Sequence, residues 1–211
     1  MKISAIIPAY NEAERIHQVL GVLRKMDIIN EIIVVSDGST DETAAIARKF
    51  TTHVIELDDN IGKGGAIAKG IAYCDAEVVL LLDADLIGLT EHHIYNLLEP
   101  VLKNEADTTI GIFNSGRFHT DAAQKITPFL SGQRAVKYEI AKTMLRFDIT
   151  RYGFELAFTK YLRKKNLRVK KVFLHDVTHV IKEEKLGMIK GFASRLKMYW
   201  QIVTTLSLNI K

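Results

Sequence analysis

Val78-Val79-Leu80-Leu81-Leu82-Asp83-Ala84-Asp85-Leu86 decides the fold. Five successive apolar residues, the first two β-branched, match a strand covered on both faces, the condition of a strand inside a parallel sheet. The run ends on two carboxylates at i and i+2. Side chains alternate along extended chain, so Asp83 and Asp85 are expected to lean to one side of the strand's carboxyl end. Ligands of open α/β sheets bind at that end. Two hard oxygen ligands there suit Mg²⁺ or Mn²⁺, and such an ion also holds substrate phosphates. A strand followed by an acidic turn reads the same way, since Asp is common in turns. The flanking segments must decide.

Upstream, Lys2–Ile7 is apolar and breaks at Pro8-Ala9-Tyr10-Asn11-Glu12. Glu14 to Lys25 carries Ile16, Val19, Leu20 and Leu23 at helical spacing. Ile32–Val35 is a second buried strand, ending in Ser36-Asp37-Gly38. Ser39-Thr40-Asp41-Glu42 has the spacing of a capping box and predicts a helix from there to about Phe50. A short strand, His53–Glu56, leads to Asn60-Ile61-Gly62-Lys63-Gly64-Gly65 and a helix to about Tyr73. Strands alternating with helices at this spacing predict βαβ units and a parallel sheet. Right-handed crossovers bring the loops Pro8–Glu12, Ser36–Ser39 and Asp83–Asp85 to one sheet edge.

Downstream the pattern is less regular. A helix is expected from Thr90 to Asn104 with Pro100 inside or bending it, then a strand over Asp107–Phe113. Thr120 to Leu145 mixes a polar Ser131-Gly132-Gln133-Arg134 loop with a helix. Tyr152–Lys164 reads as helix, Arg168–Leu174 as strand, and the chain beyond Leu186 as helix again. There is no linker, repeat or low-complexity tract. One domain over 1–211 is expected, in two parts, 1–113 and 114–211.

Composition sets the class. Of 211 residues, 47% are hydrophobic and 26% charged, as in a soluble globular protein. Cys74 is the sole cysteine, so there is no intrachain disulfide and no thiolate metal cage. That usage, with a start lacking a signal-peptide layout, predicts a cytoplasmic protein. The net charge of +4 is uneven, because Tyr161–Lys211 holds 12 Lys+Arg against 3 Asp+Glu. A basic final segment fits an anionic partner, either a phosphorylated substrate or a membrane surface, and equally a solvated face. No nucleic-acid-binding motif is present.

Past residue 186, Ile189, Phe192, Ala193, Leu196, Tyr199, Trp200, Val203 and Leu206 fall on one stripe, with Lys190, Arg195 and Lys197 elsewhere. The stripe is too charged to span a membrane. It predicts packing against the sheet or a second subunit, in competition with peripheral attachment at the inner membrane face.

Ile7-Pro8-Ala9-Tyr10-Asn11-Glu12, Val35-Ser36-Asp37-Gly38-Ser39-Thr40-Asp41, Gly62-Lys63-Gly64-Gly65 and Leu82-Asp83-Ala84-Asp85 follow one another in the order and spacing of family 2 glycosyltransferases. Leu130–Ala135, Tyr152-Gly153-Phe154-Glu155 and Val177-Thr178-His179 are similar to the glucosyl-3-phosphoglycerate and polyprenyl-phosphate sugar synthases of that family. The resemblance implies a GT-A fold, a Rossmann-like, mostly parallel sheet flanked by helices. It also implies a nucleotide-sugar donor bound by residues 1–113, a UDP-sugar favoured and glucose its expected sugar, with Mg²⁺ or Mn²⁺, and a small or polyprenyl-linked phosphate-bearing acceptor bound by residues 114–211.

Pro8, Ala9, Tyr10 and Glu12 would flank the nucleoside. Asp37 would accept from the uracil N3–H, Lys63 would lie by the diphosphate or base edge, and Asp83 would face the ribose or sugar. Asp85 and His179 would hold the metal, Arg134 would clamp an acceptor phosphate, and Glu155 would orient sugar or acceptor hydroxyls. Inverting relatives usually carry an acidic pair where this chain has Glu155 alone.

From the residues themselves, His175 competes with His179 as a ligand, and Lys63 lies in a glycine-rich helix start suited to phosphate. Neither a P-loop nor a G-x-G-x-x-G is present. Two other readings compete. A nucleotidyltransferase shares the sheet but opens with a glycine- and arginine-rich loop, unlike Pro8-Ala9-Tyr10-Asn11. A non-catalytic nucleotide-sugar binder would differ in releasing no UDP.

Overall fold

The computed structural model describes residues 1–113, 131–146 and 154–179, and only the backbone of residues 146, 154–156 and 179. In chain order the elements begin β1 (Ile3–Ala9), α1 (Ile16–Leu23), β2 (Glu31–Asp37), α2 (Thr43–Ala47), β3 (His53–Leu57), α3 (Lys63–Tyr73) and β4 (Val78–Leu81). A two-residue strand β5 (Leu86–Ile87), α4 (Glu91–Leu102), β6 (Thr108–Phe113), β7 (Arg134–Lys137) and a short α5 (Tyr138–Ala141) follow. The last described elements are α6 (Phe154–Lys164), β8 (Val169–Leu174) and β9 (Thr178–His179). The chain beyond Leu186, with its predicted amphipathic helix, lies outside the described residues, as do Arg151 and Tyr152.

Seven strands form one sheet in the order β3-β2-β1-β4-β7-β6-β8. The pairs β1–β2, β2–β3, β1–β4 and β6–β8 are parallel. Only β7 runs the other way, between β4 and β6. Sequence reading missed this strand. It has four residues with charged ends, too few for a period to show, and its strand state comes from backbone partners on both sides.

The apolar runs are covered on both faces, as their sequences require. Ile3, Ala5, Ile7, Val34, Val78 and Leu80 pack with α1 and α4 through Ile16, Leu20, Ile94 and Leu97. Ile6, Ile33, Val35, Val79 and Leu81 pack on the opposite side with α3 and α6 through Ile67, Ile71 and Phe158. Each Val, Leu, Ile or Phe side chain among them, fully buried, stabilises the fold by about 1.5–3 kcal/mol. Cys74 is buried among them, as expected of a small apolar residue, and burial, with help from Glu31, pushes its thiol up to about 11.

Two local expectations are corrected. The helix predicted from Ser39 spans only Thr43–Ala47, and Ser39 and Glu42 form no capping box. Ser39 Oγ instead accepts the Asn11 N–H, while Asp41 accepts from the Thr43 N–H at 3.0 Å. The capping box of this chain is at Thr90 and His93, where α4 begins. Pro100 lies inside α4, in its last turn and buried.

At the amino edge, Asp107 is half-buried and ties three elements together. It accepts from Arg168 Nη2 and Lys137 Nζ, both at 2.9 Å. The Arg168 guanidinium, opposed by burial and aided by Lys137, holds its carboxyl well below the usual carboxylate range. Asp107→Asn is expected to lower the unfolding free energy at pH 7 by about 2 kcal/mol in urea titrations. Because the folded-state pKa is depressed, this contribution is present above the unfolded value near 4 and fades as pH falls below it. The variant should therefore lose less stability between pH 5 and pH 3 than the parent.

Candidate active site

The carboxyl ends of β1 and β4 are adjacent, and the chain leaves them toward opposite sides of the sheet. From β1 it continues to β2 and β3; from β4 it continues away from them. Such a switch point opens a crevice. The last bond across it runs from the Leu82 N–H to the Ile6 carbonyl at 3.3 Å. Backbone groups alternate sides along a strand, so the next β1 residue facing β4 is Pro8. Proline has no N–H, and its place is where β4 no longer supplies an acceptor. Ala9 is buried beside it and Tyr10 is 49% exposed at the mouth.

Two of the motifs are laced together. Asn11, at φ 54°, accepts the Thr40 N–H on its Oδ1 at 2.8 Å. The Glu12 N–H donates to Thr43 Oγ1 at 2.8 Å, and the Ala13 N–H to Asp41 Oδ2 at 3.1 Å. Burial pushes the Asp41 carboxyl up, but the bonds from Thr43 and Ala13 outweigh it and hold the group below its usual range. Asn11, Asp41 and Thr43 thus brace the two loops that bound one side of the crevice. Glu12, half-buried, projects from this brace.

Asp37 ends β2 and is 3% exposed. Its two oxygens accept the backbone N–H groups of Ile61 and Gly62, each at 2.8 Å, and its carbonyl accepts from Asn60 Nδ2 at 3.1 Å. The carboxylate therefore shapes the turn that enters α3. Gly38 beside it has φ +67°, and a Cβ there would stand 2.5 Å from Asn60 N, so no other residue fits. No side chain caps the start of α3 at Gly62. Its first residue, Lys63, reaches Asp83 with Nζ 2.7 Å from Oδ1. Both are partly exposed, at 31% and 26%. A cation, a helix N-terminus and a carboxylate thus share one wall of the crevice.

Asp83 and Asp85 do not converge by strand alternation. β4 ends at Leu81, and Ala84 and Asp85 form a turn before β5. β5 pairs antiparallel with β9, Leu86 opposite His179 and Ile87 opposite Thr178. The residue after Asp85 is therefore the ladder partner of His179. His175 sits elsewhere, beside His93 at the start of α4. Burial lowers the His93 pKa, with His92 and His175 adding to it. Among the described residues no three His, Cys, Asp or Glu side chains make a ready metal cage. One or two carboxylates completed by substrate phosphates are, however, the usual protein share of an Mg²⁺ site, and Asp85 fits that pattern.

Arg134 is not in an open loop. It heads β7, is 1% exposed, stands with Cζ 5.0 Å from the centre of the Phe158 ring, and donates from Nη2 to the Ser131 carbonyl at 2.8 Å. The pairing of Arg134 with Leu81 explains this burial. Gln133 is fully buried. Its Oε1 accepts from Ser131 Oγ at 2.9 Å, and its Nε2 is buried with no hydrogen-bond partner among the described residues. Glu155 lies in the first turn of α6, which returns the chain from the carboxyl edge to the start of β8.

The family model described as Glycosyl transferase family 2 matches residues 4–186. The chain belongs to that family. It is 28% identical over 228 residues to an uncharacterized protein of Methanocaldococcus jannaschii, covering 95% of this chain and 92% of that protein. It is 34% identical over 142 residues to the dolichyl-phosphate beta-glucosyltransferase of Drosophila melanogaster, covering 58% of this chain but 43% of that one. Among solved structures, glucosyl-3-phosphoglycerate synthase from Mycobacterium tuberculosis superposes with a TM-score of 0.78 at 22% identity. That match covers 99% of this chain and 80% of the synthase, crystallised with Mn²⁺, UDP-glucose and phosphoglyceric acid. The fold is thus the expected GT-A arrangement, and the enzyme class is glycosyltransferase.

In this family 2 chain, Pro8, Ala9, Tyr10, Glu12, Asp37, Asp83 and Asp85 stand at the carboxyl ends of β1, β2 and β4 or in the loops that follow them, as their spacing predicted, and Lys63, at the start of α3, reaches the same edge. Asn11, Asp41 and Asn60 were part of the quoted motifs, but their bracing contacts, and Thr43, escaped the sequence reading. Their one signal was repeated Asn, Asp and Thr in turns, which is not specific. Gln133 was expected in a polar loop, and its complete burial is the structure's addition. No described helix is long and apolar enough to cross a membrane.

Proposed function

We propose that the protein transfers glucose from UDP-glucose to a phosphate-bearing acceptor, small or lipid-linked, with Mg²⁺ or Mn²⁺ as cofactor. The observation that carries this reading is the Lys63–Asp83 pair beside Asp85 at the β1–β4 crevice, next to a turn held by Asp37. A nucleoside diphosphate needs positive potential along its phosphates and a polar, partly buried wall for the nucleoside. Lys63 and the uncapped start of α3 supply the first, and Tyr10, Glu12 and Asp37 the second. Asp85 and His179 hold the cation, with Asp83 toward the ribose or sugar. When bound, the cation neutralises charge that grows on the departing diphosphate.

The solved neighbour holds UDP-glucose with a phosphorylated acceptor, and the Drosophila relative is named for dolichyl phosphate; both support an acceptor carrying phosphate. An ionised phosphate oxygen is already a nucleophile and needs no general base, which suits a chain with Glu155 alone. Glu155 then orients hydroxyls, and the buried Gln133 Nε2 is a donor for an acceptor or sugar oxygen. Arg134 acts from behind, holding Ser131.

Calorimetry with UDP, GDP and their glucose conjugates, with and without Mn²⁺, tests the reading. Tightest binding of the UDP compounds, strengthened tenfold or more by Mn²⁺, is expected, about 1.4 kcal/mol or more of coupling. Equal affinity with and without the ion would remove the proposed metal role. Release of UDP from UDP-glucose, faster with 3-phosphoglycerate or a short polyprenyl phosphate, distinguishes the enzyme from a silent binder.

A further inference from the structure

Gly132, in the segment leading into β7, lies against Lys63 and Asp83 on the donor side of the crevice. Its φ is not in the left-handed region, unlike those of Gly38, Gly62 and Gly88, so its backbone would accept any residue. Space forbids one. A Cβ built on Gly132 would stand 2.3 Å from Lys63 Nζ, 3.1 Å from Lys63 Cε and 2.9 Å from Asp83 Oδ1. Atoms at such distances cannot coexist. Which partner yields depends on what holds each. The segment is held firmly: the buried Arg134 grips the Ser131 carbonyl, the Gln133 N–H donates to Ser131 Oγ, and the Gly111 N–H donates to the Gln133 carbonyl at 2.7 Å. The ammonium end of Lys63 is the far end of a flexible side chain and is 31% exposed. The lysine must give way.

We propose that Gly132 is a positioning residue for the donor site. Its bare α-carbon is the surface against which the Lys63 ammonium is held on Asp83, so a residue of the acceptor-side segment sets where the donor's cation stands. The proposal rests on the reading of Lys63 as a UDP-binding group. It also explains the absence of a side chain between Ser131 and Gln133 in a buried position where backbone conformation allows one.

The test compares Gly132→Ala, Lys63→Ala and the double variant, reading UDP affinity by calorimetry in Mn²⁺ and the melting midpoint of each. Gly132→Ala is expected to weaken UDP binding about tenfold. Its melting midpoint should stay within about 3 °C of the parent, because a flexible chain end absorbs the clash. In the Lys63→Ala background, adding Gly132→Ala should change affinity by less than roughly twofold, since the group it acts through is gone.

Parent-like UDP binding by Gly132→Ala, or the same loss with and without Lys63, overturns the proposal. If Lys63→Ala weakens binding and Gly132→Ala does not, the positioning role falls and the donor site stands. If the parent itself does not bind UDP, both fall. Should Gly132→Ala melt far below the parent, recovery in the double variant supports the clash with Lys63, and no recovery refutes it.

Discussion

Asp85→Asn is expected to lower kcat by about three orders of magnitude, close to 4 kcal/mol of barrier, with saturating Mn²⁺ and UDP-glucose. The amide keeps the shape of the turn between Leu82 and Leu86 and removes the charge. Asp85 is half-buried and neighbours the Leu86–His179 rung, which the amide leaves in place. The melting midpoint should therefore hold while turnover collapses, and the Mn²⁺-dependent part of UDP affinity should vanish with it. Activity within tenfold of the parent would show that the charge does not support the departing diphosphate. Asp83→Asn is a useful companion, because it also releases Lys63 and should act on the KM for UDP-glucose more than on kcat.

The second large effect is expected at Asp37, and it should fall on stability and binding together. Each carboxylate oxygen accepts one backbone N–H of the turn that enters α3. Asn offers one oxygen and one NH₂, so Asp37→Asn turns a donor toward either Ile61 or Gly62. A hydrogen bond to a charged group contributes about 1.5–3 kcal/mol, and a buried donor left unmet costs a similar amount. A loss of roughly 3 kcal/mol in urea unfolding follows. The displaced turn carries Gly62 and Lys63, so UDP affinity should fall at least about tenfold as well. Unchanged stability with weakened binding would instead mark Asp37 as a ligand group rather than the anchor of the turn.

These two residues illustrate different legibility. Asp85 was legible as the second carboxylate of a pair closing five buried apolar residues, and only the flanking segments separated it from an ordinary acidic turn. Asp37 was also visible, at the end of Ile32–Val35, but its work on Ile61 and Gly62, more than twenty residues away, was not. Hydrogen bonds between loops depend on which strands become neighbours, and periodicity carries no such information. Ser39 shows the same limit from the other side. Its spacing to Glu42 satisfied a local rule, yet its hydroxyl went to Asn11, because β1 and β2 lie side by side and place their loops in contact.

From the residue order alone came the βαβ alternation, the parallel β1 to β4 core and the collection of Pro8–Glu12, Asp37, Asp83 and Asp85 on one edge. Those properties follow from local apolar period and from the handedness of crossovers, both written into neighbouring residues. Tertiary structure alone decided that β7 inserts antiparallel beside β4, that Arg134 is buried against Phe158, and that Gly132 lies where a Cβ would meet the Lys63–Asp83 pair. Each of these is a contact between segments distant in the chain, set by close packing in three dimensions, where a single methyl group is enough to change the outcome.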